Sequence, residues 1–241
     1  MAKTVAIGIF CKTPAPGLSK TRLSPPLRPE ECAALSACFI RDLAGTIDGL
    51  ARDGVAAGYA VYTPVGSEPA LRMLLPRSFG MLPQCEGDFG ARIATAMRAL
   101  LQTHAGAILV NADSPTLPAA ILRAAVEAVR RQDAVVLSPA LDGGYTLIGL
   151  SAAHDRLFVD IPWSTAQVHA RTVARAGEIG LSVVNVPGWY DVDDANSLAL
   201  LLSELAGRPP AFAPRGLHGA PAPATRAHFA GRDMRAGAQA S

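Results

Sequence analysis

Three cations stand in one short loop near the start of the chain, Lys12, Lys20 and Arg22 of Lys12-Thr13-Pro14-Ala15-Pro16-Gly17-Leu18-Ser19-Lys20-Thr21-Arg22-Leu23. The loop follows the apolar run Val5-Ala6-Ile7-Gly8-Ile9-Phe10, which reads as a buried strand. Pro14 and Pro16 fix φ and donate no backbone hydrogen bond, and Gly17 permits a turn or a close approach to a ligand. A defined basic loop past the carboxyl end of a strand is suited to holding phosphates, because open α/β sheets bind nucleotides at that edge. Gly17-Leu18-Ser19-Lys20-Thr21 is not a Walker loop. Ser19 and not Gly precedes the lysine, and Arg22-Leu23-Ser24-Pro25-Pro26 follows where a phosphate-cradling helix would have to begin.

Carboxylates recur at positions suited to a metal. Asp113 comes after the strand Ala107-Ile108-Leu109-Val110 and before Ser114-Pro115, which breaks the strand and leaves the side chain at its carboxyl edge. Hard divalent cations such as Mg²⁺ or Mn²⁺ take carboxylate oxygens together with substrate phosphates and waters. Asp113 is the first expected metal ligand, since the cap of the helix beginning near Pro118 would fall nearer Thr116. In Asp191-Val192-Asp193-Asp194 part of the acid must cap the last helix, which leaves Asp191 or Asp193 to reach the metal.

Two glycine-bearing stretches admit two readings each. Asp142-Gly143-Gly144-Tyr145 is either a hairpin turn or a loop contacting an acceptor, with Tyr145 as an aromatic donor. Trp163, Ser164 and Thr165 belong to the same expected acceptor side, although Ser164 or Thr165 equally suits a helix cap. Gly87-Asp88-Phe89-Gly90-Ala91-Arg92 is either a helix start or a loop whose Gly87, Asp88 and Gly90 meet a nucleobase.

Alternating elements must position these residues. Pro29-Glu30-Glu31 opens a helix with Leu35, Phe39, Leu43 and Ile47 along one stripe. Strands are expected over Val55–Thr63, Phe79–Leu82, Ala107–Val110, Ala134–Leu137, Thr146–Leu150 and Leu181–Val186. Helices are expected over Leu71–Leu75, Asp88–His104, Pro118–Arg131, Ser164–Gly177 and Asp194–Leu205. The alternation predicts an α/β fold with a mostly parallel sheet covered by helices on both faces.

The chain has 241 residues, half of them apolar, enough for one substantial core over residues 1–207. From Arg208 to Ser241 the composition turns to Pro, Ala, Gly and Arg, predicting a disordered tail. That tail carries five Arg and one Asp, so it accounts for the whole-chain charge of +2 and leaves the core at −2. A faintly acidic core argues against nucleic acid as partner. No apolar run approaches the roughly 20 residues of a membrane span. Met1-Ala2-Lys3-Thr4 leads straight into a strand, which predicts a cytoplasmic protein without a signal peptide or membrane partner. Cys11, Cys32, Cys38 and Cys85 lack metal or disulfide spacing.

Taken in order, the basic loop, Gly87–Arg92, Asp113-Ser114-Pro115, Asp142-Gly143-Gly144-Tyr145-Thr146-Leu147-Ile148-Gly149, Trp163-Ser164-Thr165 and Asp191-Val192-Asp193 resemble the DUF2064 family over about residues 4 to 205. That resemblance implies a GT-A, or nucleotide-diphospho-sugar transferase, fold, in proteins often labelled glycosyltransferase and linked by name to arsenosugar biosynthesis. Lys20-Thr21-Arg22-Leu23 is also similar to the nucleotide loop of 2-phospho-lactate guanylyltransferases and, more distantly, of molybdenum cofactor guanylyltransferases. By that likeness Lys12, Gly17, Lys20 and Arg22 hold a triphosphate, Gly87 to Gly90 the base, and Asp113 a Mg²⁺. The G-x-G-T-R loop of sugar nucleotidyltransferases is absent. The expected function is metal-dependent nucleotidyl transfer from an NTP to a small phosphate- or carboxylate-bearing acceptor, catalysed through Lys20, Arg22 and Asp113. Glycosyl transfer from a nucleotide sugar is the alternative, and a nucleotide sensor without catalysis is the third reading.

Overall fold

The structure, a computed structural model, describes residues 4–239. Its strands are β1 (Val5–Lys12), β2 (Ala56–Thr63), β3 (Gly80–Pro83), β4 (Gly106–Asn111), β5 (Ala134–Pro139), β6 (Tyr145–Leu150) and β7 (Ser182–Asn185). They form one sheet in the order β3-β2-β1-β4-β6-β5-β7. All neighbours are parallel except β6, which runs against both β4 and β5. This is the expected mostly parallel α/β sheet.

Helices α1 (Pro29–Arg52), α2 (Glu68–Arg72), α3 (Phe89–Leu101), α4 (Ala119–Arg131), α5 (Val168–Glu178), α6 (Ala195–Leu205) and α7 (Pro223–Gln239) complete the fold. Successive side chains of β1 point to opposite faces. Val5, Ile7, Ile9 and Cys11 therefore join one core with α1, α4 and α6, while Ala6 joins a second core with α3 and α5. The stripe Leu35, Phe39, Leu43 and Ile47 is wholly buried, as its four-residue spacing requires. Among the described residues no helix is long and apolar enough to cross a membrane.

Two helices are displaced from their expected positions. α2 begins at Glu68, earlier than Leu71, and α5 begins at Val168, because Trp163 to Gln167 turn at the sheet edge instead of entering the helix.

The expected disordered tail is overturned through residue 231. Phe212 lies edge-on to Trp189 and Tyr190, with ring centres 5.7 and 6.0 Å apart. The Ala220 amide donates to the Thr116 carbonyl at 2.9 Å. Asp42, buried on α1, accepts from the Ala224 and Thr225 amides at 2.8 Å each and from the Thr225 hydroxyl at 2.6 Å. The segment shows no apolar stripe because single anchors and a cap from a distant helix fix it. Residues 240–241 of the predicted tail, and Met1 to Lys3 of the predicted N-terminus, lie outside the described residues.

Removing Asp42 strands three donors at the start of α7. Asp42→Ala is expected to lower unfolding free energy by about 1–3 kcal/mol, and truncation after Gly207 by more, both measured by urea denaturation. Unchanged midpoints would return the tail to disorder.

Candidate functional site

The carboxyl ends of β1, β4 and β5 and the β5–β6 hairpin surround one cleft with two joined compartments. The first, about 530 Å³, is lined by Lys12, Lys20 and Arg22 together with Asp113, Asp142 and Asp193. The second, about 320 Å³, is lined by Asp113, Asp142, Asp191 and Asp193 with the rings of Phe10, Phe89, Tyr145 and Trp163, and no basic residue lines it.

The basic loop is pinned at both ends, by β1 and by Leu23, which is fully buried. Within it the Ala15 amide donates to the buried Ser19 hydroxyl at 3.1 Å, and the Leu18 amide to the Ala15 carbonyl at 3.1 Å. Gly17 takes φ +73° in this turn and does not line the cleft. Lys12 and Arg22 are exposed at the mouth.

Lys20 is placed differently from its expected position among exposed cations. Its side chain is 5% exposed, and its backbone takes the left-handed φ of 50°. Its ammonium contacts Asp113 Oδ1 at 2.5 Å and Asp193 Oδ1 at 2.9 Å, and donates to the Val192 carbonyl at 2.6 Å. Burial alone would lower the lysine pKa, but the two carboxylates outweigh it and hold the value above the ordinary one.

Asp113 sits in a turn after β4, where its own amide and the Ser114 hydroxyl donate to Asn111 Oδ1. The Asp113 carbonyl accepts from the Val192 amide at 2.9 Å, which ties the 191–193 segment beside it. Asp194 caps α6 through the Ser197 amide at 2.8 Å, so Asp191 and Asp193 are free of that duty. Asp191 is pushed up to about 7 by burial, then by the charges of Asp142, Asp193 and Asp113.

Asp142 lines both compartments, and its Oδ1 accepts from the Gly144 amide at 2.9 Å. The hairpin reading of this segment holds, and the same turn carries Asp142 to the cleft. Gly143 takes φ +87°, and a Cβ there would stand 2.2 Å from the Ala166 carbonyl oxygen. Gly144 lines the second compartment; Ser164 and Thr165 line both. Thr165 also donates to the Pro162 carbonyl at 2.7 Å.

Four expected contacts differ, those of Tyr145, Gly87, Asp88 and Gly90. The Tyr145 ring lines the cleft, but its hydroxyl is buried facing Thr172 and burial pushes its pKa upward, so it is no donor to an acceptor. Gly87, Asp88 and Gly90 do not line the cleft. Asp88 caps α3 by accepting from the Ala91 amide at 2.8 Å, and a Cβ on Gly90 would strike the Phe158 carbonyl oxygen at 2.4 Å. The motif's cleft residue is Phe89, packed against Phe10 and Trp163 at 5.4 and 5.0 Å. Arg92 backs these rings and bonds Gln84, which in turn donates to the Cys11 and Val61 carbonyls. Sequence reasoning missed this aromatic wall, although Phe89 and Arg92 stood inside the quoted motif.

Among the described residues no group of three His, Cys, Asp or Glu side chains forms a ready metal site. The oxygens that do converge are those of Asp113, Asp193 and the Val192 carbonyl around the Lys20 ammonium.

The fold recurs in solved structures. The chain is similar to a protein from Desulfovibrio desulfuricans G20, provisionally named a nucleotide-diphospho-sugar transferase: 28% identical, TM-score 0.79, covering 97% of this chain and 96% of that one. It shares its fold with CMP:2-keto-3-deoxy-manno-octonic acid synthetase complexed with CTP (11% identical, TM-score 0.56, covering 85% and 99%). It also shares it with Mycobacterium tuberculosis glucosyl-3-phosphoglycerate synthase in complex with Mn²⁺, UDP and glucosyl-3-phosphoglycerate (9% identical, TM-score 0.50, covering 84% and 77%). No curated protein matches the chain in sequence. The class these findings define is that of the nucleotide-dependent transferases with a GT-A-like fold. Within it, residues 46–165 match the model of the family described as "Uncharacterized protein conserved in bacteria (DUF2064)".

Gly143→Ala tests how the hairpin is seated. Its left-handed φ and the Ala166 contact should make it cost about 2 kcal/mol or more, read by urea denaturation, whereas Gly17→Ala, in open space, should cost less.

Proposed function

We propose that the protein transfers a group from a nucleotide donor with the help of a divalent cation, nucleotidyl transfer from an NTP being the reading its basic loop supports best. The observation that carries the proposal is the polarity of the cleft: every basic residue lining it belongs to the first compartment. Anionic phosphates are drawn to Lys12 and Arg22, which meet them as exposed, orientable cations.

Asp113 and Asp193 would hold the metal, since their hard oxygens already converge on one cation position and Mg²⁺ or Mn²⁺ needs no more protein ligands than one or two carboxylates. When bound, such an ion neutralises and orients the donor phosphates. The chain's own part is positional: the loop grips the phosphates, while Trp163, Ser164 and Thr165 wall the acceptor side, and the reacting atoms are held in line. Phe89 and Phe10 offer an apolar surface suited to a base or to the carbon face of an acceptor.

One observation favours the second reading, glycosyl transfer from a nucleotide sugar. The second compartment holds four carboxylates and no basic residue, so it meets a hydroxyl-bearing acceptor directly and repels a phosphate- or carboxylate-bearing one unless the metal intervenes. The two readings leave different products. Incubation of the full chain with Mg²⁺, a panel of NTPs or nucleotide sugars and a panel of small phosphate-, carboxylate- and hydroxyl-bearing acceptors is expected to release pyrophosphate as the nucleotidyl group passes to the acceptor in the first case, and nucleoside diphosphate as the sugar passes to it in the second. Release of neither, with no nucleotide-induced thermal shift, would remove the transferase assignment.

Arg22→Ala and Lys12→Ala are each expected to weaken nucleotide binding roughly tenfold, about 1.4 kcal/mol, with melting temperature nearly unchanged because both side chains are exposed. Calorimetric titration decides it. Asp113→Asn should keep nucleotide binding measurable but abolish Mg²⁺-dependent turnover, since the amide loses the charge a hard cation needs; wild-type rates across a Mg²⁺ series would remove Asp113 from the mechanism.

A further inference from the structure

The Lys20 ammonium is surrounded as a metal ion would be. Three oxygens from two separate segments, Asp113 Oδ1, Asp193 Oδ1 and the Val192 carbonyl, lie within 2.5 to 2.9 Å of it. Such a set is hard, partly anionic and made of carboxylate and carbonyl oxygens, the donor chemistry that Mg²⁺ and Mn²⁺ select. The residue that fills it is singular in this chain. Lys3, Lys12 and Lys20 are its lysines, and every other one of its 22 basic residues is arginine. A planar guanidinium presents a fork, whereas an ammonium is a compact point charge able to sit among three oxygens.

Charge and backbone point the same way. Two carboxylates against one ammonium leave the cage one positive charge short of balance, and a divalent ion would neutralise it. Lys20 is held in the left-handed region, where a non-glycine residue is strained, and no side-chain bond caps the short turn that it opens at Thr21–Leu23. Lys12, Lys20 and Arg22 line the same compartment, so an ammonium leaving the cage has the phosphate side of the cleft directly before it.

We propose that the Lys20 ammonium is a stand-in for the divalent cation: lysine and metal are alternative occupants of the Asp113–Asp193–Val192 oxygen cage, and metal entry turns Lys20 out toward the donor phosphates. The cage exchange needs no nucleotide. Only the destination of the released ammonium rests on the reading of the cleft as a nucleotide-donor site.

The test uses the unmodified full chain and an amine acylating reagent, with peptide mass spectrometry reporting Lys12 and Lys20 separately. Lys12, exposed at the mouth, is the internal reference. Without metal Lys20 should react at least tenfold more slowly than Lys12, and with saturating Mg²⁺ its rate should approach that of Lys12. Equal protection of Lys20 with and without Mg²⁺ would overturn the exchange, whether the metal binds elsewhere or not at all. A second measurement is Mn²⁺ affinity by calorimetry. Lys20→Met, which keeps the apolar stem, should bind Mn²⁺ about tenfold more tightly than wild type, and Asp193→Asn should lose binding. Equal or weaker Mn²⁺ binding by Lys20→Met would also overturn it. If Lys20 exchanges with metal but no nucleotide shifts the protein's melting temperature, the donor-site reading fails and the exchange stands.

Discussion

Four aspartates held at one end of a sheet repel one another, and that repulsion sets the terms for the rest of the cleft. Asp113, Asp142, Asp191 and Asp193 come from three segments remote in sequence, yet all line the second compartment. Lys20 is the cation that reaches among them, and it does so by giving up its exposure and accepting a left-handed backbone. Asp191, which it does not contact, has its pKa raised by burial first and then by the charges of Asp142, Asp193 and Asp113. An arrangement that keeps like charges this close, with so little internal compensation, is organised for a ligand that brings positive charge.

The order of strands explains how these segments meet. β1 and β4 are parallel neighbours, so the basic loop and Asp113 leave the sheet at the same edge. A further parallel strand after β5 would have needed a crossover helix. Instead β6 turns back antiparallel between β4 and β5, and the tight turn places Asp142 at that edge with nothing covering it. Gly143 then lets the turn seat on the backbone at Ala166, which carries Trp163, Ser164 and Thr165 to the opposite wall.

Much of this was legible in sequence, for identifiable reasons. Buried strands followed by breakers located the ends of β1 and β4, and hence Lys12, Arg22 and Asp113, because strand ends and sheet edges coincide in a parallel sheet. What was not legible depended on partners distant along the chain. Nothing local says that Lys20 folds inward onto Val192 and Asp193, since the pairing spans 172 residues and more. The glycines of the Gly87–Arg92 motif have a local reading as a ligand loop, but Phe158, far away in sequence, decides that Gly90 serves packing. Tyr145 faces inward for the same kind of reason, because α5 supplies the wall behind it.

The C-terminal segment carries this dependence on distant partners furthest. Composition assigned it to disorder, yet it covers the back of the segment that bears the cleft's acids. Trp189 donates through its indole to the Thr116 hydroxyl at 3.1 Å, and Tyr190 donates to buried Glu204 at 2.5 Å and accepts from Thr116 at 3.3 Å. Phe212 closes over both rings, and Ala220 is bonded to the Thr116 backbone. Asp191 follows directly on this anchored pair, and the Val192 amide is bonded to Asp113. The position of Asp193 against Lys20 is therefore fixed from two sides: by the turn after β4 within the cleft, and by aromatic packing that the last residues of the chain complete. A segment without an amphipathic stripe contributes to the geometry of the site because it needs to supply only one ring and a few backbone groups, the rest of the surface having been prepared by α1, α4 and α6.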